Sequence, residues 1–262
     1  MHPQHDAVVA SVRATYYEPY PPMGWAAEPR RFGVYRRNTK AATYPNIVLT
    51  DAAPDDMPEI IRDAREYYEG ETFPIRITID DRALAAQLGP PLDAAGLELD
   101  ERTVFLAHVG KLPEGRDAPG IRIEEVGRGG LWEYEDTRRK GFADSEEPSP
   151  PDDLELRVRL RIAEMEGGAR YWLARADGQP AGCLSWYDGE DRLAFSLATR
   201  VQFRNRGIAR LLLTNLLQDS EEAGTRAVII NADEEGTPVR LYRRLGFTDE
   251  VYWRVTYEFP RT

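Results

Sequence analysis

Seven residues, R-N-R-G-I-A-R at positions 204–210, combine two small residues with three arginines where a predicted strand gives way to a predicted helix. Gly207 and Ala209 let the chain turn closely and leave the N–H groups of the first helical turn without partners. The helix dipole adds about half a positive charge at that end, and the arginines add more. The segment predicts an anion site that suits a pyrophosphate, although taken alone it also fits an ordinary helix start.

The elements that must position this segment are predicted by hydrophobic periodicity. Three alternating strands form an antiparallel meander ahead of it, at 171–176, 182–187 and 192–201. Apolar residues then recur every four positions from Ile208 and predict a helix that stops at Gly224. An apolar strand, a short helix and an alternating strand follow, at 226–232, 237–246 and 251–259.

A second motif, L-Y-R-R-L-G-F at 241–247, follows the loop motif in this order of elements. Together they resemble the GNAT superfamily of acyl-CoA-dependent N-acetyltransferases. Arg204, Gly207 and Ala209 match the phosphate-loop pattern Gln/Arg-x-x-Gly-x-Gly/Ala of that family. The resemblance covers about residues 121–262. It implies an α/β (α+β) GNAT fold, in which helices flank a strongly twisted mixed sheet.

The resemblance also implies a co-substrate, acetyl-CoA, and no metal. Backbone groups of the third meander strand would pair with the pantetheine arm like an added strand, and the loop would hold the pyrophosphate. A backbone N–H near 199–201 would stabilise the developing oxyanion. The coenzyme-binding residues implied in this way are Leu197, Ala198, Thr199, Arg204, Asn205, Arg206, Gly207, Ile208, Ala209 and Arg210.

Tyr242 matches the family tyrosine that protonates the departing thiolate, although a tyrosine that anchors a core helix would look the same. The acceptor amine would attack directly. No general base is named by the sequence, because Leu193 and Ile230 stand where some relatives have a glutamate. The acidic residues at 233–235 could bind a cationic acceptor or form a solvated loop. Cys183 fits a buried hydrophobic residue better than a nucleophile.

The first half of the chain repeats the second in part. Residues 92–108 parallel 241–258, each reading as helix, glycine, apolar residue and alternating strand. We therefore expect an N-terminal arm at 1–45, a degenerate GNAT-like domain at 46–115 and a catalytic GNAT domain at 116–262. Within the second of these, a helix from Asp81 is predicted to break at Gly89-Pro90-Pro91.

Composition limits the class of protein. The 262 residues include 42% hydrophobic residues and one cysteine, which fits a globular protein of a reducing, cytoplasmic compartment. The net charge of −11 opposes nucleic-acid binding. No apolar run is long enough for a membrane helix, and three scattered histidines suit no metal site.

Three functions remain open from the sequence. The first is an N-acetyltransferase acting on a primary amine of a small molecule or peptide. The second is a sensor or scaffold that binds acyl-CoA without transferring the acyl group. The third is an aminoacyl transferase using charged tRNA, which the acidic balance and the glycine loop disfavour. The sequence does not indicate the acceptor or the oligomeric state.

Overall fold

The computed structural model describes residues 4–17, 25–38, 44–71, 73–109, 111–113, 118–143 and 151–260. The helices in these ranges are α1 (His5–Tyr17), α2 (Met57–Tyr67), α3 (Arg82–Ala94), α4 (Leu131–Phe142), α5 (Pro151–Glu166), α6 (Ile208–Glu222) and α7 (Thr237–Arg244). The strands are β1 (Trp25–Arg30), β2 (Gly33–Asn38), β3 (Asn46–Leu49), β4 (Arg76–Ile79), β5 (Glu98–His108), β6 (Ile121–Glu125), β7 (Ala169–Ala176), β8 (Gln179–Tyr187), β9 (Asp191–Thr199), β10 (Ala227–Asp233) and β11 (Phe247–Glu258).

The chain divides into two compact units. The C-terminal unit comprises Met1–Val8, Leu106–Asn231 and Thr237–Asp249, and the N-terminal unit comprises Val9–Phe105, Ala232–Gly236 and Glu250–Thr262. This division differs from the expected boundary at residue 116, because the second half of β11 pairs with β4, Val255 facing Ile79. A long-range pairing of this kind leaves no mark on local sequence patterns.

The C-terminal unit contains the predicted meander. Its strands run in the order β10-β9-β8-β7-β6, with β6 to β9 antiparallel and β10 parallel to β9. Successive residues of β8 face opposite sides of the sheet. Gly182 faces Ile208 of α6, whereas Cys183 joins a core cluster with Tyr134 of α4. Helices α4 and α6 therefore cover opposite faces.

The N-terminal unit is also a mixed sheet, in the order β1-β2-β3-β4-β11-β5. Strands β3 and β4 are parallel, and β4 and β11 are antiparallel. Residues 25–38 were expected to lie in an N-terminal arm, but β1 and β2 pair with each other and β2 pairs with β3. They are part of this sheet because Tyr35 packs fully buried against Tyr68 of the segment after α2.

The predicted break at Gly89-Pro90-Pro91 is wrong, because helix α3 is continuous there. It continues from Arg82 to Ala94 through both prolines. Leu88 and Leu92, four residues apart on either side of the break, are both fully buried. The burial of two leucine side chains is worth about 3–6 kcal/mol, which is comparable with the roughly 3 kcal/mol that each of the two prolines costs inside a helix.

A network of charged groups is buried between α4, α5 and β7. Glu135 is fully buried and accepts two hydrogen bonds from Arg138 Nε, at 3.0 and 2.9 Å, and one from Arg161 Nε at 3.1 Å. Arg161 also pairs with Glu164, which accepts from the Tyr171 hydroxyl at 2.7 Å. Burial alone would raise the pKa of Glu135, but the hydrogen bonds and charge of Arg138, with the charge of Arg161, outweigh it and lower the pKa.

Replacing Glu135 by Gln is expected to destabilise the protein by about 3–5 kcal/mol. The buried guanidinium groups of Arg138 and Arg161 would lose the negative charge of Glu135 that stabilises them. Urea unfolding at pH 7 measures the change. Since the carboxylate has a lowered pKa, its contribution is present above the unfolded value near 4.3 and is lost as the pH falls. The difference between the two proteins should therefore shrink in acid.

The matched control is Glu155→Gln, which removes the same charge from an exposed pair with Arg159 four residues away on α5. We expect a cost of no more than about 0.5 kcal/mol there. Equal effects of the two substitutions would mean that the buried network contributes no more than a surface pair.

Candidate functional site

The loop between β9 and α6 has the backbone geometry expected of an anion site. Gly207 is the N-cap of α6, with φ of 81°, and no side chain caps the helix. The first helical bond runs from Leu211 N–H to the Gly207 carbonyl, at 2.9 Å. A Cβ at Gly207 would meet no atom within 4 Å, so the left-handed conformation, not lack of space, requires glycine. Asn205, with φ of 63°, adopts the same conformation.

The three arginines of the loop contact different partners. None of these partners was predicted from the sequence. Arg204 donates to the Gly141 carbonyl at 2.8 Å and to the Thr199 carbonyl at 3.3 Å, so it ties the end of α4 to β9 and is no mobile charge. Arg206 pairs with Asp177 of the β7–β8 turn at 3.0 Å. Within the described ranges, Arg210 Nε has no hydrogen-bond partner.

Strand β9 parts from β10 halfway along its length. Their parallel pairing ends at Ala194 and Ile230, whereas β9 stays paired with β8 as far as Thr199. A β-bulge lies in the unpaired stretch, where Ser196 has a φ of 54° and the register with β8 shifts. A bulge bends a strand and increases its twist. The last residues of β9 therefore present one backbone edge that β10 does not cover.

The sequence predicts backbone contacts with a ligand at 197–201. The backbone groups of these residues point to two different sides of β9. Arg200 N–H donates to the Ala181 carbonyl of β8 at 2.9 Å, so it is already occupied. Backbone groups alternate in direction along a strand, so those of Ala198 also face β8 while those of Thr199 face away. The coenzyme contacts at Ala198 and Thr199 stay predictions, with the backbone groups of Thr199 on the edge of β9 that faces away from β8. Leu197 lies beside the bulge.

Two glycines bring helices close to this part of β9. A Cβ at Gly141 of α4 would lie 2.9 Å from Ala198 Cβ and 3.1 Å from Thr199 N. A Cβ at Gly182 of β8 would lie 2.7 Å from Ile208 Cγ2 and 2.9 Å from the Ala198 carbonyl oxygen. The sequence reading missed both glycines, and the only available signal was glycine inside a predicted helix and strand.

Tyr242 lies on α7 and is 4% exposed. Its ring packs against Phe247 with centroids 6.3 Å apart. Burial raises the pKa of its phenol above the ordinary value, so the hydroxyl keeps its proton at neutral pH. Contacts join Arg204 and Ile208 to β9 and β8, but no hydrogen bond in the described part of the chain links Tyr242 to them.

The acidic residues after β10 are engaged in bonds of their own. Glu234 accepts from Arg82 and from Trp253 Nε1, both at 3.0 Å, and Asp233 accepts from the Glu235 N–H at 3.1 Å. Burial raises the pKa of Glu234, but the hydrogen bonds from Trp253 and Arg82 lower it overall.

In the described ranges no three His, Cys, Asp or Glu side chains group as metal ligands, and none of the described helices could span a membrane.

Comparisons with known proteins found one matching sequence family and several similar structures. Residues 167–249 match the sequence family described as acetyltransferase (GNAT) domain. A GCN5-related N-acetyltransferase from Kribbella flavida has a similar structure, with 15% identity, a TM-score of 0.66, and coverage of 100% of this chain and 97% of that one.

Two further structures share the fold. A conserved protein of unknown function from Staphylococcus epidermidis has 12% identity and a TM-score of 0.68, with coverage of 95% of this chain and 97% of that one. A tandem GNAT protein from the clavulanic acid biosynthesis pathway has 14% identity and a TM-score of 0.55, covering 97% and 88%. The sequence family and the shared fold agree with the resemblance read from the two motifs. The GNAT domain match thus lies in the C-terminal half of a chain that shares its fold, over nearly its whole length, with a tandem GNAT protein.

Proposed function

We propose that the protein is an N-acetyltransferase that moves an acetyl group from acetyl-CoA to a primary amine of a small molecule or peptide. The observation that carries the proposal is the uncapped start of α6 beside the open edge of β9. A diphosphate at the amides that follow Gly207 would be stabilised by the helix dipole. The pantetheine arm would then run along β9 and pair with Thr199.

The chemical step would be a direct transfer. The amine nitrogen attacks the thioester carbonyl carbon, and the Thr199 N–H stabilises the oxyanion that forms. As the intermediate collapses, the C–S bond breaks with its electron pair on sulfur, and the Tyr242 hydroxyl donates a hydrogen bond to the leaving thiolate. A thiolate with a pKa near 8.5 is a weaker base than the phenolate, so Tyr242 acts chiefly by hydrogen bonding. The amine loses its proton to water.

The second candidate is a sensor or scaffold that binds acyl-CoA without turnover. It is favoured by the apolar residues where a base would be expected, since Ile230 is 1% exposed and Leu193 carries no charge. The two functions share the coenzyme site and differ only in chemistry. Thiol release from acetyl-CoA, over polyamines, aminoglycosides, amino acids and peptides with free N-termini, distinguishes them, because a sensor releases no thiol with any amine.

Acetyl-CoA at a hundred times its dissociation constant should stabilise the protein by about 2.7 kcal/mol. A thermal melt with and without the ligand would show this as a rise of several degrees. An unchanged melting temperature at millimolar acetyl-CoA contradicts both candidate functions together.

Replacing Gly207 by Val should weaken acetyl-CoA binding more than tenfold in a calorimetric titration. A side chain at positive φ costs about 1–2 kcal/mol, so the loop would change conformation and the amides would lose their alignment. The control is Gly224→Val at the other end of α6, where φ is 70° and no atom lies within 4 Å of the added Cβ. It carries the same backbone strain and should bind acetyl-CoA normally. Equal loss in both variants would assign the effect to helix stability.

Replacing Tyr242 by Phe should lower kcat by about a hundredfold, as expected for loss of a hydrogen-bond donor to the charge that develops on the leaving sulfur, while the Kd for acetyl-CoA changes less than twofold. The rate of thiol release at saturating substrate measures kcat, and a calorimetric titration measures the Kd for acetyl-CoA. Tyr134→Phe removes a hydroxyl from another buried tyrosine of the same unit and should leave kcat unchanged. Parallel losses of affinity and turnover in the Tyr242 variant would indicate a structural tyrosine.

A further inference from the structure

The bulge of β9 is bonded to side chains of β8. Ser185 Oγ donates to the Phe195 carbonyl oxygen at 3.1 Å, and Cys183 Sγ donates to the Ser196 carbonyl oxygen at 3.6 Å. Both β8 side chains are fully buried, and the register of the two strands shifts between the same two residues of β8. The two side chains therefore hold β9 at the point where it leaves the regular ladder.

The two carbonyl groups that accept these bonds are successive along the chain. In a regular strand, successive carbonyl groups point to opposite neighbouring strands, so one of the two would point to β10. Here both accept hydrogen bonds from β8. The parallel pairing with β10 ends at Ala194, directly before them. Bonding of both carbonyl groups to β8 thus explains why β10 loses its partner at this residue.

The backbone of the bulge is strained and needs such support. Ser196 has a φ of 54°, a left-handed conformation that is unfavourable for any residue with a side chain. Strained residues persist only where their surroundings fix them. The ring of Phe195 stacks on Tyr187 of β8, with centroids 4.9 Å apart. Burial raises the pKa of Cys183 to about 12, so the thiol keeps the proton that it donates.

We propose that Ser185 and Cys183 are positioning residues, whose hydrogen bonds hold the strained bulge and so keep the last residues of β9 apart from β10. The inference rests on the proposed function, because acetyl-CoA would bind the edge that this separation leaves open. A ligand binds only the fraction of molecules in which the edge is open, so loss of an anchor raises the apparent Kd in proportion. Bound ligand restores the open edge, and kcat at saturation is kept.

Replacing Ser185 by Ala should raise the Kd for acetyl-CoA about tenfold in a calorimetric titration, because the buried Phe195 carbonyl group loses its donor. The kcat at saturating acetyl-CoA should stay within twofold, the reverse of the split expected for Tyr242→Phe. Cys183→Ala should raise the Kd about threefold, since a thiol is a weaker donor than a hydroxyl. Cys183→Ser keeps a donor and should bind acetyl-CoA normally.

A second substitution tests whether the anchors act through the strain. Glycine adopts a φ of 54° freely, so adding Ser196→Gly to Ser185→Ala should restore the Kd to within threefold of the unmodified protein. The control is Ser220→Ala, which removes another buried hydroxyl, bonded to the Leu216 carbonyl at 2.6 Å on α6. It should lower the melting temperature at least as much as Ser185→Ala and leave the Kd unchanged.

The inference is overturned if Ser185→Ala binds acetyl-CoA normally, if Ser196→Gly fails to restore its affinity, or if Ser220→Ala weakens binding equally. Equal affinities of Cys183→Ala and Cys183→Ser would overturn the part assigned to the thiol.

Failure of the proposed function gives a different result, since the unmodified protein then does not bind acetyl-CoA at all. Hydrogen exchange of the ligand-free protein judges the anchors in that case. Without the bulge, β9 can pair with β10 beyond Ala194, so the amides of 195–199 should exchange about tenfold more slowly in Ser185→Ala. The double variant should return to the exchange rates of the unmodified protein. Unchanged or faster exchange in Ser185→Ala refutes the inference.

Discussion

Everything in the candidate site depends on backbone hydrogen-bonding groups that have neither a strand partner nor a capping partner among the described residues. Strand β9 loses its neighbour after Ala194, and α6 starts at Gly207 without a capping side chain. Unpaired buried or half-buried amides are costly, and folded chains leave few of them. The fold tolerates them because β8 holds the other edge of β9 and because Gly182 lets Ile208 approach closely. Because the backbone groups on one edge of β9 are paired with β8, the fold can keep the other edge unpaired for a ligand.

Much of the fold was predictable because its signals are local. The meander and the helix from Ile208 follow from alternation and four-residue spacing, and the structure has them within a few residues of the expected bounds. The continuous helix through Pro90 was not predictable, because buried leucines on either side override a local preference. The boundary between the two units was not predictable for a similar reason, since β4 and β11 pair across more than 170 residues.

The candidate site was predictable in the same uneven way. Gly207 is visible in a sequence because a left-handed residue at a helix start nearly demands glycine. The partners of the arginines are not, because a guanidinium group reaches whatever acceptor the tertiary fold brings near. Arg204 therefore reads as a free charge in the sequence and as a tie between α4 and β9 in the structure.

The glycines at 141 and 182 have a consequence for how the two faces of the sheet can change. Each stands where an added methyl would come within 3 Å of a neighbouring atom, so an alanine at either position would displace a whole element. Helix α4 from one side and α6 from the other are consequently seated against the same short stretch of β9. A substitution that moves α4 would therefore also move the edge of β9 that the proposed function assigns to the coenzyme, so that changes on the two faces of the sheet are mechanically coupled.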